Sequence, residues 1–340
     1  MFDNGDLYFI AEVGQNHQGD LETALTYVTK FAEAGADAIK FQMRDNRRLF
    51  HKDKYNSIYN SENAFGETYG QHREALELSV DEMKCVRKAC REQGVDFICT
   101  PFDETSLDNL LQMDPDGIKV ASFDLGNLPF LKKIAKAGLP VVISTGGGDL
   151  QAAVDSVDVL KEGNCPIAVL HCVSKYPCPA EELLLGRIEI LMKNIQDVYI
   201  GSSDHFNGIL SGPVAYMLGA RVFEKHVSLD RSQKGTDHSF SLEREGFRKF
   251  VRDVKRTEMM LDTELPSSLG EEPVFKKLGK SVASAKDISA GEVITDSMLT
   301  GIIFDTTVIP VRESKRVLGS MAKVHIPKGT ALSWDDLIVD

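Results

Sequence analysis

At 340 residues, 42% of them hydrophobic and 26% charged, the chain has room for about two domains and an ordinary globular composition, which excludes a lone small module, a disordered chain and a collagen-like fibre. A net charge of -12 argues against broad electrostatic capture of nucleic acid, although a cleft can still focus local positive charge on a small anion. The longest apolar runs, such as Pro140 to Ile143 and Ile167 to Leu170, fall far short of the roughly twenty residues of a bilayer span, so no membrane crossing is expected.

Asp3 and Asp6 precede a strand-like segment with no basic region ahead of an apolar one, so no secretion signal and a cytoplasmic location are expected. Six cysteines without a CxxC pair or a zinc-like Cys/His spacing agree with reduced thiols.

Short β-branched runs then alternate with amphipathic segments, the pattern of a parallel sheet wrapped by helices. The expected strands are Leu7 to Val13, Ala38 to Met43, Asp96 to Thr100, Gly117 to Ala121, Pro140 to Ser144, Ile167 to Leu170, Val198 to Ser202 and Val222 to His226. In the first helix Asp20 caps, Leu21, Leu25, Val28, Phe31 and Ala32 line one face, and Gly35 terminates. Eight such units predict an α/β fold, a closed (β/α)₈ TIM barrel. A doubly wound sheet is the alternative, but no GxGxxG follows the first strand.

Residues 44–78 interrupt the rhythm with Tyr55, Tyr59, Tyr69 and many charges. On the loop face of a barrel such an excursion either covers a substrate or is a solvated detour. Periodicity stops near Leu265-Pro266-Ser267-Ser268, so we expect a barrel over 1–264, a linker over 265–278 and a small β-rich module over 279–340. In that module Ile288, Gly291, Ile294 and Leu299 recur as Ile326, Gly329, Leu332 and Leu337, which predicts two related halves, each with a Gly turn.

Polar residues at the carboxyl ends of barrel strands meet the ligand, and they occur in nearly every unit here. Glu12 ends the first strand, Lys40 and Gln42 share one face of the second, Thr100 closes the third, and Lys119 and Ser122 flank the end of the fourth. Ser144-Thr145-Gly146-Gly147-Gly148, His171 to Tyr176, Ser203-Asp204-His205 and Glu224-Lys225-His226 follow. Each has a plain structural alternative: a lone strand-end His is more often hydrogen-bonded than metal-bound, Lys40 could serve a buried ion pair, and the Gly run could be a tight turn. Together, two lysines, several hydroxyls and a Gly-rich turn form a plausible cradle for phosphate or carboxylate, and His205 and His226 on adjacent strands could share one divalent ion.

The segments FIAEVGQNHQGDLETA, GADAIKFQ, CTPFD, IKVAS, STGGG, HCVSKYP, GSSDH, FEKHVSLD and GTDHSFSLE resemble the successive motifs of the sialic acid synthase family, and the C-terminal module resembles its antifreeze-like SAF domain. The resemblance implies a cytoplasmic transferase in which C3 of phosphoenolpyruvate attacks the aldehyde of an open-chain amino sugar such as N-acetylmannosamine, water adds at C2, and phosphate leaves. By the same resemblance the phosphoenolpyruvate contacts fall on Lys40, Thr100, Lys119, Ser122, Ser144 and Ser203, and the ligands of a manganese-type ion, with magnesium or cobalt as alternatives, on His205 and His226. Acid/base and sugar-binding positions fall on Glu12, Gln42, Tyr176 and Asp237, with Asp124 where the family usually has Glu. A domain-swapped homodimer is implied as well.

This sequence departs from the family pattern at Ser174, where Asn is common, at Thr236, where proline is usual, and in Thr300 to Asp305, which lacks the arginine of an Arg-Pro step. Either Arg312 or Arg316 substitutes for that arginine, or the sugar is held differently. The competing readings are another metal-dependent barrel aldolase, a keto-deoxy-sugar phosphate synthase, and a non-catalytic carbohydrate-binding barrel. An aldolase acting on a phosphorylated sugar would need a second phosphate site, and only one basic cluster stands out in the sequence.

Overall fold

The computed structural model describes residues 2, 6–261 and 270–339. The chain divides into two compact units, 1–262 and 263–340. The first is a closed barrel of eight parallel strands in sequential order: β1 (Tyr8–Gly14), β2 (Ala38–Met43), β3 (Asp96–Pro101), β4 (Gly117–Val120), β5 (Val141–Ser144), β6 (Ile167–Cys172), β7 (Tyr199–Asp204) and β8 (Val222–His226). All eight expected strands form; β6 and β7 run further than expected, so Cys172 and Ser203 lie within strands.

Strict alternation divides each strand between two environments. Phe9, Ala11 and Val13, Ile39 and Phe41, and Phe97 and Cys99 turn outward against the helices, while Ile10, Ala38, Ile98, Val142, Ala168, Leu170 and Val222 fill the barrel floor. Two residues further along the same inward face, the side chains become polar: Glu12 after Ile10, Lys40 after Ala38, Thr100 after Ile98, Ser144 after Val142 and Glu224 after Val222. The barrel is therefore an apolar plug closed by a polar layer at its carboxyl end.

The helix Leu21–Glu33 is capped by Asp20, whose carboxylate accepts from the Thr23 N–H at 2.7 Å. Its most buried residues are Ala24, Tyr27, Val28 and Phe31; Leu21, Leu25 and Ala32, expected on that face, are half-buried. The face rotates toward Tyr27 because its hydroxyl finds buried partners, accepting from the Leu229 N–H at 3.1 Å and donating to the Asn16 carbonyl at 3.4 Å.

Residues 44–78 are a packed element with short helices Asn46–Leu49, Lys52–Tyr55 and Tyr69–Glu74. Tyr69 packs edge-on against Phe50 and Tyr59 with ring centroids 5.1 and 5.3 Å away. A capping box between Thr68 and Gln71 starts the third helix.

In the second unit β9 (Lys280–Ser284) pairs with β10 (Leu299–Ile303), and β11 (Met321–Ala322) with β12 (Leu337–Ile338), both antiparallel. Residues 265–269 of the expected linker lie outside the described residues, and Pro273–Leu278 form a helix. The two halves bond reciprocally: Ile288 and Ile326 exchange N–H···O=C bonds at 2.9 Å, and Gly291 N donates to Ala322 O as Gly329 N donates to Ser284 O, both at 2.8 Å. Gly291 and Gly329 adopt positive φ, and Ile288, Ile294, Ile326, Leu332 and Leu337 form the shared core. This is the internal two-fold that the repeated spacing predicts.

No helix among the described residues is long and apolar enough to cross a membrane. Outside the barrel wall, Asp204 and Lys225 form a buried ion pair. Asp204 also accepts from the Ser211 hydroxyl at 2.6 Å and the Phe206 N–H at 2.9 Å, while Lys225 donates to the Phe206 carbonyl at 2.6 Å. Lys225→Met leaves a buried carboxylate without its counter-charge, and we expect a loss of about 3–5 kcal/mol, read from urea denaturation; a double Asp204→Asn, Lys225→Met variant should recover part of it.

Candidate active site

The polar layer opens into a cavity of about 540 Å³ at the carboxyl end of the barrel. Of the residues expected to bind or react, Glu12, Lys40, Gln42, Thr100, Lys119, Ser122, Ser144, Tyr176, Ser203, His205, His226 and Asp237 line it. Alternation explains the selection: Ser203 and His205 face inward while Asp204 faces the helices, and Glu224 and His226 face inward while Lys225 joins Asp204. His171 also faces outward, bonded through Nε2 to the Leu183 carbonyl at 2.7 Å.

The cavity floor is a chain of buried charges. Lys40 Nζ lies 2.8 Å from Glu12 Oε2 and 3.6 Å from Glu224 Oε1. Gln42 donates to Glu12 Oε1 at 2.6 Å, and the Ser203 hydroxyl donates to Glu224 at 2.9 Å. Lys119 Nζ donates to Ser144 Oγ at 2.7 Å and to the Val120 carbonyl at 2.8 Å. Register places Glu12 opposite Lys40 and opposite His226, with a bulge immediately after Glu12. Gly14 makes that bulge at φ 57°, where a Cβ would come within 3.2 Å of Glu12 Oε1 and 3.3 Å of Gln42 Nε2.

Burial raises the Glu12 carboxyl, with Lys40 only partly opposing it and Glu224 adding to it. Burial would raise Glu224 too, but Lys40, Lys119 and the Ser203 hydroxyl together hold it at about 2. Lys119 is pushed down to about 8 by burial, against the attraction of Glu224. The site therefore holds one carboxylate that readily accepts a proton, one that stays ionised, and an ammonium poised near neutrality.

Burial also keeps both imidazoles neutral, moving His205 down to about 4 with help from His226, and lowering His226. Their ring centroids are 5.2 Å apart. His205 Nδ1 lies 2.8 Å from the Val173 carbonyl; that oxygen can only accept, so Nδ1 carries the hydrogen and Nε2 keeps its lone pair. His226 Nδ1 is buried without a hydrogen-bond partner, with Asp237 Oδ2 3.9 Å away. Two neutral imidazoles with uncommitted nitrogens suit a divalent cation, although no group of three or more His, Cys, Asp or Glu is clustered for one among the described residues.

Two expected site residues lie elsewhere. Asp124 sits in the turn Ser122–Asp124, which sends Ser122 into the cavity and Asp124 into a neighbouring depression, where it accepts from Asn127 at 2.9 Å. Ser174 stands beside the cavity, its hydroxyl 3.4 Å from the Gly146 carbonyl. The Gly-rich turn does not line the cavity either. Its Gly146 N–H donates to Ser122 Oγ at 3.1 Å, and a Cβ on Gly147 would run into the Ser122 carbonyl. Its glycines let the ends of β4 and β5 close on each other and aim Ser122.

Residues 27–265 match the NeuB family and residues 279–338 match the SAF domain. The chain belongs to the NeuB family of sialic acid synthases. It is 36% identical over 310 residues to the N-acetylneuraminate-9-phosphate synthase of Drosophila melanogaster, covering 84% of this chain and 83% of that one. To the N,N'-diacetyllegionaminic acid synthase of Legionella pneumophila it is 32% identical over 337 residues, 97% of this chain and 94% of that one. The crystal structure of N-acetylneuraminic acid synthetase from Leptospira borgpetersenii, in complex with citrate, matches with a TM-score of 0.69 at 30% identity, over 80% of this chain and 92% of that one.

This NeuB-family cavity also contains Glu224, which the sequence places among the polar strand ends without giving it a role, and residues that the sequence did not assign to the site: Gln15, Arg44, Asn63, Arg73, Phe102 and Phe123. Arg44, Asn63 and Arg73 come from the 44–78 excursion, whose irregular path has no period to read. In the C-terminal unit Arg312 lies over Phe275 at 5.7 Å and Arg316 pairs with Glu313 at 2.9 Å.

Gly147→Ala should displace the Ser122 turn without touching the barrel core. We expect a folded protein, with an unchanged far-ultraviolet circular dichroism spectrum, whose affinity for phosphoenolpyruvate by calorimetric titration falls by roughly tenfold, about one lost charge-assisted contact.

Proposed function

We propose that this synthase joins phosphoenolpyruvate to an open-chain amino sugar of the N-acetylmannosamine type, releasing phosphate and a nonulosonic acid. The observation that carries the reading is the buried charge chain of the floor, with Lys40 held between two glutamates and Lys119 alongside on Ser144. Lys40, Lys119 and the hydroxyls of Thr100, Ser122, Ser144 and Ser203 supply the cations and donors that a phosphate and a carboxylate on one small molecule need. His205 and His226 would hold a divalent cation, manganese being our first expectation, and such an ion would supply Lewis-acid polarisation of the sugar aldehyde.

The donor lies on the lysine floor with its enol C3 toward the imidazole side. C3 attacks the aldehyde carbon; the C–C bond forms, the carbonyl oxygen takes up a proton to become a hydroxyl, and C2 becomes cationic. Glu12 faces that charge from within the floor and, with its raised proton affinity, takes a proton from the water that adds at C2. The C2–O bond to phosphate then breaks, C2 becomes a ketone with loss of the hydroxyl proton, and inorganic phosphate leaves. Glu224, ionised throughout, keeps Lys40 charged. Tyr176, whose ring centroid lies 3.9 Å from that of His205, and Asp237 line the side on which the sugar enters.

Phosphate release from phosphoenolpyruvate should require both an amino-sugar aldose and a divalent ion, and the product mass should equal donor plus aldose plus water minus phosphoric acid. Release without the sugar, or with the metal chelated away, would overturn the reading. Glu12→Gln should still bind phosphoenolpyruvate while kcat falls by about two or more powers of ten.

Lys119 supplies a pH test. Since burial lowers its pKa to about 8, the ammonium that binds the donor is lost as pH rises through that value, so kcat/KM for phosphoenolpyruvate should fall on the alkaline side of about pH 8. In Lys119→Met that limb should disappear along with most of the donor affinity.

A further inference from the structure

One buried guanidinium at the cavity has no task in the condensation chemistry. We propose that Arg44 is a positioning residue for that reaction: it fixes the amide of Gln42 and, through that amide, the orientation of the Glu12 carboxylate. This rests on the condensation reading above.

Hydrogen-bond direction is the first reason. A glutamine amide has an oxygen that accepts and a nitrogen that donates on two arms of nearly equal shape, so its neighbours decide which way it turns. Gln42 ends the inward face of β2, with Arg44 two residues further on. Arg44 Nη2 donates to Gln42 Oε1 at 2.5 Å, and Gln42 Nε2 donates to Glu12 Oε1 at 2.6 Å. A guanidinium has donors only, so the atom that meets it must be the amide oxygen, and the amide nitrogen is thereby turned to Glu12. Without Arg44 the amide is free to turn over and set its carbonyl against the carboxylate, where two acceptors repel. With it, Glu12 has Oε1 on Gln42 and Oε2 2.8 Å from Lys40 Nζ. A carboxylate tied at both oxygens keeps one orientation, as proton transfer from the water at C2 requires.

Rigidity of Arg44 is the second. Its side chain is 8% exposed. Glu77 accepts from Arg44 Nη1 and from the Arg44 backbone N–H, each at 3.2 Å, and the Phe102 ring centroid lies 3.8 Å from Cζ. Phe102 is held in turn by its own N–H, which donates to the Met43 carbonyl at 3.1 Å. Gln15 also donates to Glu77, at 3.2 Å. Arg73, the other guanidinium at this rim, donates to Gln15 and to the Tyr69 hydroxyl and leaves Glu77 to Arg44. Paired on one side and stacked on its face, the Arg44 fork has a fixed direction, with one terminal nitrogen for Glu77 and the other for Gln42.

Arg44→Met alone would strand the Glu77 carboxylate, so the test combines it with Glu77→Gln and removes both charges together. Steady-state kinetics with phosphoenolpyruvate, Mn²⁺ and N-acetylmannosamine give kcat and both KM values, calorimetric titration gives donor affinity, and thermal denaturation reports the fold. We expect the combined variant to bind phosphoenolpyruvate within about threefold of wild type while kcat falls on the order of tenfold to a hundredfold, the scale of a misaligned reacting group. In a Gln42→Met background the same two substitutions should lower kcat by less than about threefold, because the amide that Arg44 orients is gone. Arg44→Lys keeps a charge for Glu77 but has no fork to reach Gln42 as well, so it should show the kcat deficit in a protein as stable as wild type. Full kcat in either Arg44 variant overturns the proposal. So does a loss carried by KM for one substrate, since Arg44 would then bind that substrate, and so does an undiminished further loss on top of Gln42→Met. A wild type that condenses no such aldose removes the condensation reading and the proposal with it, whereas a condensing wild type with fully active variants removes the proposal alone.

Discussion

Three charges that cannot leave water separately, Glu12, Lys40 and Glu224, do so together, and the site is organised around that constraint. An ammonium stripped of solvent needs compensation, and alternation on β1, β2 and β8 delivers a carboxylate to either side of it. The two carboxylates do not become equivalent. Glu224 has Lys119 and the Ser203 hydroxyl as well and stays ionised, whereas Glu12 faces away from that help and holds protons more tightly than an ordinary glutamate. One ion cluster thereby holds two carboxylates of different proton affinity, the difference set by Lys119 and Ser203 on the Glu224 side.

The same cluster is electrically balanced at rest, two lysines against two glutamates. On the condensation reading an anionic donor tips that balance, and the carboxylate with the higher proton affinity is the one that absorbs the change. Behind the floor, Gln42 ties Glu12 to Arg44, Arg44 to Glu77, and Gln15 links Glu77 to Arg73. A continuous hydrogen-bonded path thus runs from Glu12 to the rim formed by the 44–78 excursion, a segment that is packed around Tyr69 and is not a solvated detour.

The C-terminal unit is stabilised on a different principle. Its strands are short, and its order comes from two similar halves that donate and accept the same backbone bonds across a local two-fold, closing over a small aliphatic core. Such a core is marginal for so short a segment, and reciprocity lets each half satisfy the backbone groups the other exposes.

The repeating parts of this molecule were determined by sequence alone. Eight strands, the first helix with its Asp20 cap, the internal duplication and the polar strand ends that line the cavity can be read from it because period two and period 3.6 are local rules that burial enforces, whereas Asp237 and the role of Tyr176 came only from the family resemblance. What tertiary structure decided has no local rule. The Ser122–Asp124 turn sends one side chain into the cavity and the other away, and the Gly-rich turn supports Ser122 instead of touching the ligand space. Arg73 arrives from an aperiodic excursion, and whether it has a carboxylate partner depends on Arg44 claiming Glu77 first. Direction along a strand follows from counting, whereas the partner a charge finds depends on which loops the closed barrel brings to the same rim.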